Sequence, residues 1–291
     1  MGKLYLAARR GFCNGVRRAL ECVHSLLTEQ PEKVICVYNE IVHNNYVVGN
    51  MKKAGVRFIR SLDEVPANGV VVWSAHGVPP ELKQQAVEKN LTAVDATCPL
   101  VRKLHDLAGR YCAENAAVIL IGHAGHPEVT GVLGCGKIYN ISQVADCAKL
   151  PDFPADQSVA VLTQTTWSMD EITPIIAELQ KRYPALEVVS GICYATAERQ
   201  QAVRDLISEH RIEKLLVIGS PASSNSNRLC EIARNCGITA LLIDDPQSLQ
   251  DMDLGNCGKL GLTAGASAPD ILLEQAVDIL TKQHNFTLTG E

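Results

Sequence analysis

The sequence predicts an α/β chain of three related units with pseudo-threefold symmetry. One local event occurs three times: a strand ends near a single cysteine and turns into a helix, at Gly11-Phe12-Cys13-Asn14-Gly15, Asp95-Ala96-Thr97-Cys98-Pro99 and Gly191-Ile192-Cys193-Tyr194-Ala195. Apolar residues then recur with helical spacing: Val16, Ala19, Leu20 and Val23 after the first cysteine, Leu100, Val101, Leu104 and Leu107 after the second, Ala202, Val203, Leu206 and Ile207 after the third. The cysteines lie about 85 and 95 residues apart, a domain-sized interval rather than a solenoid period. Units are expected over 1–97, 98–190 and 191–281, followed by a C-terminal tail over 282–291.

The repeat extends beyond the cysteines. A polar residue follows each at about 30 residues, namely His43, His126 and Ser223, and another at roughly 63 to 74 residues, namely His76, Thr165 and Ser267. Around a pseudo-threefold axis each unit then gives one thiolate and two hydrogen-bonding groups to a shared centre.

Composition agrees with this class. A chain of 291 residues buries a sizeable core, and its 4% aromatic content with plentiful Val, Ile, Leu and Ala suits parallel strands covered on both faces. A net charge of -5 without a basic block argues against extended nucleic-acid contact. No apolar run reaches the roughly 18 residues of a membrane span, and the N-terminus enters a strand almost at once, so neither a span nor a signal peptide is expected. Met1-Gly2 opens like a myristoylation site, but Leu6 stands where Ser or Thr is required. Eleven cysteines, an odd number, fit reduced thiols in the cytosol better than a secreted disulfide scaffold. Cys22, Cys36, Cys112, Cys230 and Cys236 fall within strand or helix patterns and read as small apolar residues.

Taken in order, the first unit starts with a strand over 4–8 and the first cysteine loop. A strand over 34–38 leads to Glu40-Ile41-Val42-His43-Asn44 and a helix stopping at Gly55, and a strand over 70–73 ends in Ser74-Ala75-His76-Gly77. Both histidines fall where a strand gives way to a loop, the ligand edge of open α/β sheets. In the second unit Thr97 is a plausible N-cap and Pro99 takes the first helical position. A strand over 118–121 leads into Gly122-His123-Ala124-Gly125-His126-Pro127-Glu128, where glycines permit close backbone approach, His126 can donate to an anion and Glu128 adds a carboxyl. Two histidines and a glutamate also fit zinc, although the spacing is neither His-Glu-x-x-His nor i, i+4. A strand over 159–162 ends in the hydroxyl cluster Thr163-Gln164-Thr165-Thr166. In the third unit a strand over 215–218 precedes Ser223-Ser224-Asn225-Ser226-Asn227, small donors at a helix start that form an anion cradle without the P-loop ending. The last strand, over 259–262, opens into Thr263-Ala264-Gly265-Ala266-Ser267, again small donors before a helix.

Three cysteines without a fourth match a four-iron cluster that leaves one iron open to substrate or water. Around it stand three histidines and several hydroxyls suited to an anionic ligand such as a diphosphate. The open iron would take an oxygen as a Lewis acid, and Glu128 would protonate a leaving hydroxyl. A non-catalytic iron–sulfur sensor and a phosphate-ester hydrolase with structural cysteines remain as alternatives. The sensor needs neither the glutamate nor the phosphate-binding groups, and the hydrolase would work without iron.

The segments quoted above, with Arg10-Gly11-Phe12-Cys13, Ile192-Cys193-Tyr194-Ala195-Thr196 and the continuation Ala268-Pro269-Asp270, resemble those of the 4-hydroxy-3-methylbut-2-enyl diphosphate reductase family across nearly the whole chain and in order. The resemblance implies a trefoil of three α/β units around a central [4Fe-4S] iron–sulfur cluster. It implies an oxidoreductase that reductively removes a hydroxyl to give isopentenyl and dimethylallyl diphosphates, in the last step of the non-mevalonate pathway. By motif, Cys13, Cys98 and Cys193 would ligate the cluster and leave one iron open. His43, His76, Ser223, Ser224, Asn225 and Ser267 would hold the diphosphate, with His126 lining the pocket. Glu128 and Thr165 would sit near the substrate hydroxyl, Glu128 delivering the proton. A small ferredoxin or flavodoxin is the implied electron donor. Asn14 departs from the small residue usual after the first cysteine but removes no ligand. Without the long N-terminal extension of plastid relatives or the extra C-terminal domain of others, a bacterial-type cytoplasmic enzyme is expected.

Overall fold

The structure, a computed structural model, describes residues 1–289. Strand β1 (Gly2–Leu6) leads through the first cysteine loop into helix α1 (Asn14–Glu29), and a β-α-β-β-α-β block follows: β2 (Val34–Tyr38), α2 (Asn45–Lys53), β3 (Arg57–Ile59), β4 (Gly69–Trp73), α3 (Pro80–Glu88) and β5 (Thr92–Asp95). After α4 (Pro99–Ala113) the block recurs as β6 (Ala117–Ile121), α5 (Pro127–Leu133), β7 (Ile138–Ile141), β8 (Val159–Thr163), α6 (Met169–Arg182) and β9 (Glu187–Val189). After α7 (Tyr194–His210) it recurs again as β10 (Lys214–Ile218), α8 (Ser224–Asn235), β11 (Thr239–Ile243), β12 (Lys259–Ala264), α9 (Asp270–Lys282) and β13 (Phe286–Leu288). The chain is α/β, with three successive blocks of one connectivity, each preceded by a helix that a cysteine opens.

Each block forms a parallel sheet. The orders are β3-β2-β4-β5, β7-β6-β8-β9 and β11-β10-β12-β1-β13. Sequence order groups the first strand with 34–38, but β1 instead pairs with β12 and β13. The reason lies in the connectivity: β5 and β9 are the strands that run into the next cysteine corner, and each sits beside the fourth or eighth strand. In the third sheet that place, beside β12, is taken by β1, which runs into the Cys13 corner. The segment from 282 onward, read as a tail, contributes β13; residues 290 and 291 lie outside the described residues.

The chain divides into two compact units, one of residues 1–16, 43–50 and 194–291, the other of 17–42 and 51–193. In the first, alternation along β10 splits the core: Leu216 and Ile218 pack with Leu272, Ala276 and Leu280 of α9, while Leu215 and Val217 pack with Val203 and Leu206 of α7 and Leu229 of α8. In the second, β6 does the same, with Val118 and Leu120 against Leu104 of α4 and Val129 of α5, and Ile119 and Ile121 against Ile172 and Ile175 of α6. Central strands covered on both faces explain the continuous apolar runs seen in the sequence. Among the described residues no helix is long and apolar enough to cross a membrane.

Candidate active site

Each cysteine stands immediately before its helix and is bound in the same way. The Cys13 N–H donates to Ala266 O at 3.1 Å, Cys98 N–H to Ala75 O at 3.0 Å and Cys193 N–H to Thr165 O at 3.1 Å. None of the three is in a disulfide, and all are half-buried. The corners are braced differently. Buried Arg199 of α7 donates through Nε at 3.2 Å and Nη2 at 2.6 Å to Gly11 O, fixing a glycine at φ +71° that a side chain would strain. At the second corner Asp95 accepts the Thr97 N–H at 3.0 Å and pairs with Lys83 at 3.0 Å and Arg102 at 3.2 Å; although burial raises its pKa, the Thr97 and Lys83 hydrogen bonds hold it at about 2. At the third, Gly191 N–H donates to Thr163 Oγ1 at 2.7 Å. By contrast, burial pushes the thiols of Cys22, Cys36, Cys112, Cys147 and Cys257 up, and those of Cys135 and Cys230 to about 11, which leaves them protonated and unreactive. Cys236, expected among the apolar cysteines, is exposed after α8.

The strand-end turns also repeat, in a register that corrects the spacing argument. His126 and Ser223 are the N-caps of α5 and α8, and the residue in that place before α2 is Asn44, whose Oδ1 accepts the Val47 N–H at 3.0 Å; His43 precedes it. The loop from β2 to its cap is one residue longer than those after β6 and β10, which shifts the count. In the second set, the carbonyls that receive the cysteine N–H groups belong to Ala75, Thr165 and Ala266, so the partner of His76 and Ser267 is Thr166, while Thr165 matches two alanines.

Glu128 is the second residue of α5 and only 2% exposed. Its Oε1 accepts the Thr165 N–H at 2.7 Å and its Oε2 accepts the Thr165 hydroxyl at 2.8 Å. Burial pushes its pKa up to about 7, against the lowering effect of both Thr165 bonds. Thr165 therefore joins the acid to Cys193, holding Glu128 with its N–H and hydroxyl and Cys193 with its carbonyl. The His126 Nδ1 accepts the Glu128 N–H at 3.1 Å, which places the proton of a neutral His126 on Nε2. The His76 and His126 rings meet edge to face, 5.6 Å apart. Gln164, quoted in the sequence motif without a role, is fully buried; its Oε1 accepts the His123 N–H at 3.0 Å and Trp167 Nε1–H at 3.2 Å, pinning the glycine–histidine loop to the Thr165 turn.

In the other unit the Ser267 hydroxyl donates to His43 O at 2.9 Å, and Ser223 Oγ accepts the Ser226 N–H at 3.3 Å and the Ser226 hydroxyl at 3.1 Å. Gly219 and Gly265 flank Ser226 so closely that a β-carbon on either would collide with its hydroxyl, which lets the start of α8 lie directly on the ends of β10 and β12. Ser224 is half-buried beside the cap. Asn225 is 5% exposed, and neither atom of its amide has a hydrogen-bond partner among the described residues. A buried amide left so is costly unless a ligand completes it.

A sequence profile of the LytB protein family matches residues 4–281. The chain belongs to the LytB family. It is 45% identical over 285 residues to the 4-hydroxy-3-methylbut-2-enyl diphosphate reductase of Histophilus somni, covering 96% of this chain and 90% of the relative, and 45% identical over 278 residues to that of Xanthomonas oryzae pv. oryzae, covering 92% and 87%. Its fold is similar to the E-1-hydroxy-2-methyl-but-2-enyl-4-diphosphate reductase of Plasmodium falciparum, with a TM-score of 0.93 at 35% identity over 99% of this chain and 91% of that one. It is also similar to a solved (E)-4-hydroxy-3-methyl-but-2-enyl diphosphate reductase described as the terminal enzyme of the non-mevalonate pathway, with a TM-score of 0.68 at 28% identity over 97% and 100%.

LytB proteins are iron–sulfur dependent. Among the described residues no three side chains of His, Cys, Asp or Glu are gathered closely enough to hold a single ion. A cluster makes a different demand, one thiolate on each of several irons. A cysteine at each of three helix starts, each fixed by the same backbone bond, is a donor of that kind.

Proposed function

We propose that this LytB-family chain reduces 4-hydroxy-3-methylbut-2-enyl diphosphate to isopentenyl and dimethylallyl diphosphates. The observation that carries the reading is the buried carboxyl of Glu128, titrating near neutrality and tied through Thr165 to the Cys193 corner. We assign Cys13, Cys98 and Cys193 as the ligands of one [4Fe-4S] cluster. Bound by three thiolates, such a cluster supplies one-electron transfer and an iron open to an oxygen ligand.

The chain's own residues do the rest. Replacing the C–O bond by C–H takes up two electrons and two protons and releases water. Glu128, its pKa pushed up to about 7 by burial, delivers a proton to the departing hydroxyl, and Thr165 holds its carboxyl in place. His126 offers Nε2–H as a donor because the helix cap occupies Nδ1. The substrate-holding assignments are His43, Ser223, Ser224, Asn225 and Ser267 in one unit and His76, His126 and Thr165 in the other. The unsatisfied Asn225 amide supports them, since a diphosphate oxygen accepts from its Nδ2. Ferredoxin or flavodoxin is the electron donor we assign. A cytoplasmic location is supported by eleven cysteines that form no disulfide.

Mössbauer spectroscopy of anaerobically purified, iron-57-enriched protein with and without 4-hydroxy-3-methylbut-2-enyl diphosphate tests the reading. One iron of four should be distinct and should change when substrate is added, and turnover should require a reductant. Turnover by iron-free protein would overturn it.

A further inference from the structure

One histidine of the second unit lies apart from the roles assigned above. His105 lies about two turns into α4, the helix that Cys98 opens. The Cε1–Nε2 edge of its ring rests on two glycines from different elements. A β-carbon on Gly77 would lie 2.9 Å from Cε1 and 3.1 Å from Nε2, and one on Gly131 would lie 2.7 Å and 2.9 Å from the same atoms. Gly77 follows His76 directly, and Gly131 stands one turn beyond Glu128 on the same face of α5. Its Nε2 is buried without a partner among the described residues. Burial, with Lys83 adding to it and Asp106 and Asp95 opposing, lowers the ring's pKa to about 4, so the imidazole is neutral under working conditions.

We propose that His105 is a positioning residue, a neutral spacer whose ring sets the distance between the His76 turn and the Glu128 helix and so holds the Glu128 carboxyl against Thr165. Three features converge on this. Both facing positions lack a β-carbon where the ring lies. At Gly131 the helical backbone would accept alanine readily, so the missing methyl answers to space and not to conformation. The two elements the ring separates carry His76 on one side and His126 with Glu128 on the other, whose rings meet at 5.6 Å. The inference rests on the reductase reading for its activity readout, and on the ring's packing alone for the rest.

Space is exchangeable, and the experiment uses that. His105→Ala, Gly131→Ala and the double variant are compared with the wild-type holoenzyme for kcat, KM, iron content and the titration of the Glu128 carboxyl. The carboxyl is followed by carbon-13 NMR of glutamate-labelled protein and assigned by its loss in Glu128→Gln. Each single change should lower kcat about tenfold with KM altered less than about threefold and iron content retained, the magnitude expected for a misplaced catalytic group. His105→Ala should also move the Glu128 titration below about 7 as water enters the void. In the double variant the added methyl fills the space left by the ring, so kcat and the titration should return at least threefold toward wild type. Multiplying losses, or an unmoved carboxyl titration in His105→Ala, would overturn the proposal. If His105→Ala does not fold, His105→Asn with and without Gly131→Ala gives the same comparison. An inactive wild type would sink the reductase reading while leaving the carboxyl titration to decide the role of His105.

Discussion

Glu128 and Asn225 occupy the same place in two blocks of the chain, the second residue of the helix after the first strand, and meet opposite circumstances. Both are nearly inaccessible, 2% and 5% exposed. Glu128 faces Thr165, which satisfies both carboxyl oxygens. The residue matching Thr165 in the third block is Ala266, and Asn225 is left with an amide that has no partner. In the first block the corresponding residue, Tyr46, is 40% exposed, and the residue that matches Thr165 is Ala75. One scaffold position thus yields a held acid, an open amide and a surface ring, depending on whether the facing turn carries a hydroxyl and on what stands at the helix start. A completed polar group is fixed before substrate arrives, whereas an incomplete one is a binding determinant.

The largest effect should come from Glu128→Gln, which keeps the shape and an acceptor for the Thr165 N–H and removes the acidic proton. The kcat should fall by about 10² to 10⁴, the range for loss of general acid catalysis, with iron content unchanged. Near-normal turnover in single-turnover assays would end the acid assignment.

The same substitution reveals how the acid is stored. The folded pKa of Glu128, about 7, lies above its ordinary value of 4.5, so the fold favours the neutral form. That contribution is present in full below about pH 4.5 and is lost as pH rises through 7. At about 1.4 kcal/mol per pKa unit the loss approaches roughly 3 kcal/mol. Glutamine cannot ionise, so Glu128→Gln should equal wild type in urea unfolding at pH 4.5 and exceed it at pH 8. A constant difference across that window would show that burial does not strain the carboxylate.

Much of this was legible in the sequence because cysteines, histidines and helix starts are sparse markers. The three corners at Cys13, Cys98 and Cys193 fall where the spacing places them, and β2, β6 and the stretches 70–73 and 215–218 of β4 and β10 are unbroken apolar runs, as burial on both faces requires. Register was harder to read. One additional residue between β2 and its helix puts Asn44, not His43, at the position equivalent to His126 and Ser223, with which the spacing grouped His43, and adjacent threonines hide which of Thr165 and Thr166 matches His76. Nor does sequence order show that β1 completes the sheet of β10 to β13, since pairing is chosen by the empty edge beside β12 rather than by proximity along the chain. His105 gave no signal at all, because its significance lies in two distant glycines that leave room for it.

The open amide predicts a trade between stability and binding. Asn225→Leu keeps the number and branching of the side-chain heavy atoms and removes two polar atoms that have no partner among the described residues, so the free protein should gain about 1 kcal/mol, while KM for the diphosphate should rise about tenfold with little change in kcat. Thermal unfolding and steady-state kinetics on one preparation settle both. A destabilised variant with unaltered KM would show that the amide is served within the protein.

The smallest expected effect is the most direct test of the comparison, because it carries the second block's arrangement into the third. Ala266→Ser sets a hydroxyl at the position where Thr165 holds Glu128, leaving the Cys13 N–H bond to the residue 266 carbonyl intact. If the positions are equivalent in more than topology, the new hydroxyl donates to the Asn225 Oδ1 and turns the amide from an open group into a held one. A neutral hydrogen bond of this kind contributes about 1 kcal/mol, so the protein should gain a degree or two in Tm. The effect on KM should be a change of threefold or less, since Nδ2 keeps its capacity to donate to a diphosphate oxygen while Oδ1 is engaged. Asn225→Leu in the Ala266→Ser background should then lose the added stability, because the hydroxyl would have lost its acceptor. Additive effects of the two substitutions on Tm would mean that residues 225 and 266 do not meet, and that the likeness between the Glu128 and Asn225 turns ends at the backbone.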